Sequence, residues 1–199
     1  MKPEHKQHLY SLRPAIDVHG QWACPGNPKT AQKSIMGGPL NDRAILAHRG
    51  QRNWERVWRR IIEPQIDNVL FFTFVRNPWD KAVSAFHFLQ SRQMFLGMSF
   101  SSFVRSELAV HGTGLDQHVR TQTPTFSFHG EIIPQVLICR FERLKDDWEM
   151  VADAVDAPKD IPHRNSSIHK PYRELYDDET KTIVGDLYAE EIKLLGYEF

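Results

Sequence analysis

Two turns in this chain carry residues suited to holding anions. The first is Asn27-Pro28-Lys29-Thr30-Ala31-Gln32-Lys33-Ser34-Ile35, with two lysines and two hydroxyls at a predicted loop-to-helix junction. A helix N-terminus offers backbone N–H groups to an anion, and lysines add charge. The Lys33-Ser34 end matches the close of the nucleotide loop GxxxxGK[ST], but its two glycine positions hold Asn27 and Gln32. The triphosphate-loop reading fails on its own spacing. The second turn, Phe74-Val75-Arg76-Asn77-Pro78-Trp79-Asp80, follows a long apolar run. Nucleoside triphosphatases commonly place an Asp at the end of such a strand to hold Mg²⁺. Here the position holds Arg76, whose planar fork binds an anion directly, without a bridging metal. Ser84, two helical turns further on, supplies a hydroxyl for the same anion.

These turns need elements to hold them. Val69 to Val75 (VLFFTFV) is continuously apolar, the pattern of a strand buried on both faces and hence of a parallel sheet. Asn77 and Pro78 supply an N-cap and an N1 proline for a helix through Val83, Phe86 and Leu89 or Gln90. Val136 to Cys139 is a second buried strand, with Cys139 a buried structural thiol. A weaker strand runs through Ala15 to Val18 or Gln21 to Cys24. Further helices are predicted from Asn53 through Ile62 until Pro64, from Ser99 through Leu108, and from Asp146 or Asp147 through Val155. A last one runs from Asp177 to Gly196. The stretch from His111 to Gly130 is loop-rich, and a loop of that length is more often functional than idle. Alternating strands and helices predict an α/β fold with a mostly parallel sheet covered on both sides. No linker or repeat divides the chain, so residues 1–199 read as a single domain with residues 1–14 flexible.

A pair of anion turns without a metal-binding Asp suits a ligand with two separate anionic groups. 3′-Phosphoadenosine 5′-phosphosulfate (PAPS) fits that description better than ATP. The segment Thr73-Phe74-Val75-Arg76-Asn77-Pro78-Trp79-Asp80-Lys81-Ala82-Val83-Ser84-Ala85-Phe86 resembles the 3′-phosphate motif of PAPS-dependent sulfotransferases of the carbohydrate type. Pro28-Lys29-Thr30-Ala31 with Ser34-Ile35 resembles that family's 5′-phosphosulfate loop, which usually reads PKTAGTSI. Further similarity lies at His118-Val119-Arg120 with Gln122, at Arg140-Phe141-Glu142-Arg143-Leu144, and in the tail from Asn165 onward. The resemblance implies a three-layer, P-loop nucleotide-kinase-like α/β fold. It also implies in-line transfer of a sulfuryl group from PAPS to a hydroxyl or amine acceptor, a carbohydrate first among them. Lys29 would stabilise charge on the bridging oxygen. Pro28, Thr30, Ala31, Gln32, Lys33, Ser34 and Ile35 would cradle the 5′ end, and Arg76 and Ser84 would hold the 3′-phosphate. Arg140, after the second strand, would face the same cleft or pair with a carboxylate such as Glu142. In the tail, Tyr172 and Arg173, with His169 and Lys170, would close over the nucleotide or form a surface loop. Gln32 and Lys33 stand where the family has Gly-Thr, so the loop loses a flexible glycine and gains a cation. A nucleotide-binding protein that has lost transfer is therefore one rival, and an ATP-dependent kinase of related fold is another.

For a hydroxyl acceptor the reaction needs a base. His48 lies between the two anion turns, and imidazole has suitable basicity. The alternative for it is a turn histidine. His118 is the second candidate base or a substrate-positioning group, and Gln122 a pocket-lining one. Composition sets the remaining bounds. With 25 Lys and Arg against 25 Asp and Glu the chain has no net charge, which argues against general nucleic-acid binding. Arg43 to Arg60 holds six arginines against one glutamate, whereas Glu174 to Glu198 holds eight acids against two lysines. The basic stretch is either a receiver for an anionic glycan or a solvated face balanced by the acidic tail. Trp54 and Trp58 read as core. Ten histidines and two cysteines form no metal-ligand spacing. No run is long enough for a membrane helix and no leader-like segment is visible, so the expectation is a cytoplasmic protein without metal or membrane association.

Overall fold

A computed structural model describes residues 15–17, 22–24, 26–27, 29–40, 44–46, 69–128, 130–133, 135–162 and 171–199. They divide into two compact units, one within Met1–Val75 and Gln122–Arg164, the other within Arg76–Thr121 and Asn165–Phe199. Pro28, His48, the Asn53–Ile62 helix with Trp54 and Trp58, His169 and Lys170 lie outside the described residues.

The first unit holds a sheet whose described strands are β1 (Ala15–Asp17), β2 (Trp22–Cys24), β3 (Ala44–Leu46), β4 (Leu70–Val75) and, after the small hairpin β5 (Ser127–Phe128) and β6 (Glu131–Ile132), β7 (Val136–Arg140). The order is β3-β1-β2-β4-β7. β2, β4 and β7 pair in parallel and β1 is antiparallel to both its neighbours, so four of the five strands point one way. Both weak N-terminal strand candidates form. β4 has a parallel partner on each edge and is buried from Phe71 to Val75, which is why its sequence shows no polar alternation.

Phe72 and Phe74 join Trp22, Cys24 and Cys139 in one core. It is completed by Ile35, Met36 and Leu40, at and after α1 (Gln32–Met36), and by Trp148, Val151, Ala152 and Val155 of α3 (Leu144–Val155). The alternate row, Ala23, Phe71, Thr73 and Val75, is buried as well, so the sheet is covered on both faces. Both cysteines are free thiols. Burial pushes the Cys24 thiol up strongly and the Cys139 thiol to about 12, so both stay protonated and inert.

The second unit begins at Arg76 and contains α2 (Pro78–Ser91), a helical run, and α4 (Asp178–Leu187) followed by α5 (Ala189–Leu195). Asn77 caps α2 as expected: its Oδ1 accepts from the Trp79 and Asp80 amides at 3.0 and 3.5 Å. Its Nδ2 donates to the Glu198 carbonyl, and Phe199 packs edge-on to Trp79, Tyr172 and Tyr176. The Ser99-capped run starts as α-helix at Phe100, widens to a π-helical stretch over Phe103–Leu108 and ends at His111.

Three expectations are corrected. α3 starts at Leu144, ahead of Asp146 and Asp147, because Asp147 is a buried acceptor for the Arg140 amide (2.6 Å) and not a cap. The second strand includes Arg140 and is only part-buried apart from Cys139, since among the described strands it has a partner on one edge alone. The Asp177–Gly196 helix is two helices broken at Tyr188, whose hydroxyl donates to the Val119 carbonyl. Its ends are as predicted, a capping box at Asp177 and left-handed Gly196 (φ 63°). Among the described residues no helix is long and apolar enough to cross a membrane.

Candidate functional site

The residues expected to hold the 5′ end sit in the first unit, in the loop between β2 and α1. Lys29 and Ala31 both adopt left-handed backbone, φ 69° and 62°. This conformation costs a non-glycine residue about 1–2 kcal/mol, so the loop must be held from outside. Asn27 holds it. It is buried just beyond the end of β2, and its Nδ2 donates to the Phe74 carbonyl of β4 (3.0 Å) and to Gln122 Oε1 (3.1 Å). Thr30, fully buried, donates its hydroxyl to the Asn27 carbonyl at 2.8 Å.

Downstream, the Ser34 and Ile35 amides both donate to the Ala31 carbonyl, at 2.8 and 3.2 Å. Ile35 anchors the loop, its side chain in the core and its amide bonded to Ala31. Gln32 opens α1 in helical backbone, so the glycine of the family pattern is not needed at this position. Alternation of left-handed residues next to a helix start turns successive amides to one side, the geometry of an anion nest.

Gln122 shares this unit and is fully buried. Its Oε1 serves Asn27 and its carbonyl accepts from Thr125 Oγ1 at 2.7 Å, so it braces the loop from behind. Arg140 closes β7 in register with Val75, the last residue of β4.

Arg76, Ser84 and His118 belong to the second unit. Arg76 is 8% exposed, and its Nε donates to Asp80 Oδ2 at 2.7 Å. An i,i+4 carboxylate fixes the plane of the guanidinium. Asp80 also lies in the first turn of α2, where a negative charge is favourable. Ser84 is buried nearly two turns into α2. His118 Nδ1 lies 2.6 Å from Asp116 Oδ1, and its ring stacks on Phe88, centroids 4.3 Å apart. In the neutral tautomer that donates Nδ1–H to this carboxylate, Nε2 carries the lone pair. Tyr172 and Arg173 are in a 3₁₀ turn, with the guanidinium 5.2 Å from the Tyr172 ring and 6.0 Å from that of Phe199. The acidic tail finds part of its balance in Arg105, which pairs with Asp177 and Glu179 at 2.6 Å each.

A family model described as the sulfotransferase family matches residues 27–198, a span that includes both units. The chain belongs to the sulfotransferase family. A crystal structure of a sulfotransferase from Alicyclobacillus acidocaldarius is similar to it over 98% of this chain and 92% of that one, with 15% identity and a TM-score of 0.37. No curated protein matches the chain. Membership of that family makes sulfuryl transfer the chemistry its side chains serve.

In that setting four residues not predicted from sequence matter. Asn27 supports the loop between β2 and α1, and Asp80 orients Arg76. Lys81, 1% exposed on α2, donates to the Arg120 carbonyl, and Glu191, fully buried on α5, accepts from Thr121 Oγ1 at 2.8 Å. Lys81 was detectable: it sits on the same helical stripe as Ala82, Ala85, Phe86 and Leu89, a lysine among core positions.

Proposed function

We propose that this sulfotransferase takes its sulfuryl group from PAPS and passes it to a hydroxyl or amine acceptor, with a carbohydrate hydroxyl the first candidate. The observation that carries the donor reading is the strained Lys29–Ala31 backbone, braced by Asn27 and Thr30 and leading into a helix. Backbone strain of this kind persists where the surroundings enforce it, typically at ligand sites. The residues present fit two anionic ends. Lys29, with Lys33, Ser34, Gln32 and the loop amides beside Pro28, Thr30 and Ala31, suits the phosphosulfate. Arg76, its guanidinium oriented by Asp80, suits the 3′-phosphate, with the Ser84 hydroxyl as a second donor and Arg140 as a further cation.

PAPS supplies a sulfur centre whose transfer leaves adenosine 3′,5′-bisphosphate. This chain's residues orient it and stabilise charge. The Lys29 ammonium neutralises the bridging oxygen as it gains charge. Of the two histidines named for the base, His118 has the supporting geometry: Asp116 fixes its tautomer, and Nε2 takes the acceptor proton. His48 is kept as the second reading for its place between the two anion segments in sequence. Gln122 acts on the donor loop through Asn27.

Calorimetric titration with adenosine 3′,5′-bisphosphate, with and without EDTA, tests the donor. Metal-independent binding weakened by Arg76→Ala supports the reading. Transfer of labelled sulfate from PAPS to a glycan panel should then fall far more than bisphosphate binding in Lys29→Ala. The base is the histidine whose change to Gln abolishes turnover and leaves the bisphosphate affinity intact. A folded chain that fails to bind the bisphosphate refutes the proposal.

A further inference from the structure

Asp116 to Thr121 has no regular structure, yet three consecutive residues of it are tied to buried polar groups of the second unit. The Tyr188 hydroxyl donates to the Val119 carbonyl, Lys81 Nζ donates to the Arg120 carbonyl, and Thr121 Oγ1 donates to Glu191 at 2.8 Å. Lys81, Tyr188 and Glu191 come from α2, the α4–α5 break and α5, and all are buried. The Lys81 ammonium also lies 5.1 Å over the Tyr188 ring. A loop carbonyl is ordinarily satisfied by water or a neutral amide. Serving it with a buried ammonium is expensive, because the charge gives up its hydration.

We propose that Lys81 is a positioning residue, clamping the Arg120 carbonyl so that the segment bearing His118 is held in one geometry. The consequence for turnover rests on the donor and base reading above; the clamp itself does not. The groups facing Lys81 are Glu191 on α5, which favours its charge, Arg76 ahead of α2, which opposes it, and the Tyr188 phenol. Asp80, on Lys81's own helix, is turned to Arg76, and on the segment itself Asp116 is turned to His118. Burial outweighs them all and lowers the Lys81 pKa from 10.5 to about 8. The clamp is therefore charged at neutral pH and weakens above about pH 8, as the ammonium becomes an amine and Glu191 loses its counter-charge.

Hydrogen exchange of the unmodified, ligand-free chain tests this without any donor. Protection of the Val119–Thr121 amides, corrected for intrinsic rate, should fall about tenfold between roughly pH 7 and pH 9. It should be low at every pH in Lys81→Met and flat in Lys81→Arg, whose charge does not titrate in this range. In the transfer assay Lys81→Met should lower kcat about tenfold or more with bisphosphate affinity nearly unchanged, and Lys81→Arg should restore it and remove the alkaline fall. Protection that stays flat with pH in the unmodified chain overturns the clamp, as does full kcat in Lys81→Met. Absence of bisphosphate binding by the unmodified chain overturns the donor reading alone, and the exchange data still decide the clamp.

Discussion

Replacing Asn27 with Ala should be among the most damaging single changes in the donor loop, although Asn27 is given no contact with substrate. The variant removes one NH₂ group that serves two buried acceptors, the Phe74 carbonyl at 3.0 Å and Gln122 Oε1 at 3.1 Å. A buried acceptor left without its donor costs about 1–3 kcal/mol, so the pair predicts a loss of about 2–4 kcal/mol. That shifts the unfolding equilibrium by roughly thirty- to a thousand-fold. Urea unfolding followed by tryptophan fluorescence reads it, with the slope unchanged if only stability has moved. Gln122→Ala breaks one of the two bonds and should cost about half as much, and the double variant should show a coupling of about 1 kcal/mol. Asn27→Asp should be at least as harmful as Asn27→Ala, since it sets a carboxylate against two acceptors. A loss below about 0.5 kcal/mol in Asn27→Ala, or strict additivity with Gln122→Ala, would refute the claim that this amide braces the loop.

Arg76→Lys keeps the charge but not the fork, so bisphosphate affinity should fall by about tenfold or more with little change in stability; equal affinity by calorimetry would exclude bidentate binding. Gly38→Ala should lower stability by about 2–3 kcal/mol in thermal melts, because a Cβ there would meet the Ser34 carbonyl at 2.5 Å and Pro162 at 2.7 Å. Lys81 carries a pH signature in stability. Its folded pKa of about 8 lies below the ordinary 10.5, so between those values the unfolded chain binds more protons and global stability rises with pH, even as the local contact to the Arg120 carbonyl, with Lys81 still buried, weakens. The relief amounts to about 3 kcal/mol relative to Lys81→Met, and parallel stability curves for the two chains from pH 7.5 to 10.5 would contradict it.

What the sequence disclosed follows from which forces are local. The Val69–Val75 run, the Asn77-Pro78 cap and the helix start at Asp177 are written in adjacent residues, and a strand over Leu70–Val75, the cap and the helix start all form. Arg76 was legible because a charge directly after a buried strand needs a partner, though the partner, Asp80, was not identified. The partners of Asn27 and Lys81 were hidden for a different reason. They include Gln122, Arg120 and Glu191, residues between 39 and 110 positions away, and no periodicity carries that information. The break at Tyr188 belongs to the same class, for it accompanies a bond to Val119 that the helical pattern of Asp178 to Leu195 does not contain.

The departure at Gln32 looks damaging on paper and is not so in the fold. A glycine in the family pattern invites the inference that its freedom is needed where it stands. Among the described residues of this loop the left-handed positions are Lys29 and Ala31, while Gln32 is the first residue of α1. Glutamine is the better helix former there by roughly 0.5–1 kcal/mol, so the substitution favours the helix and leaves the turn alone. The strain sits instead on a lysine and an alanine that glycine would relieve, at about 1–2 kcal/mol each. Lys29 thus keeps its backbone in a costly state, and Asn27 and Thr30 supply the buried hydrogen bonds that hold the loop there.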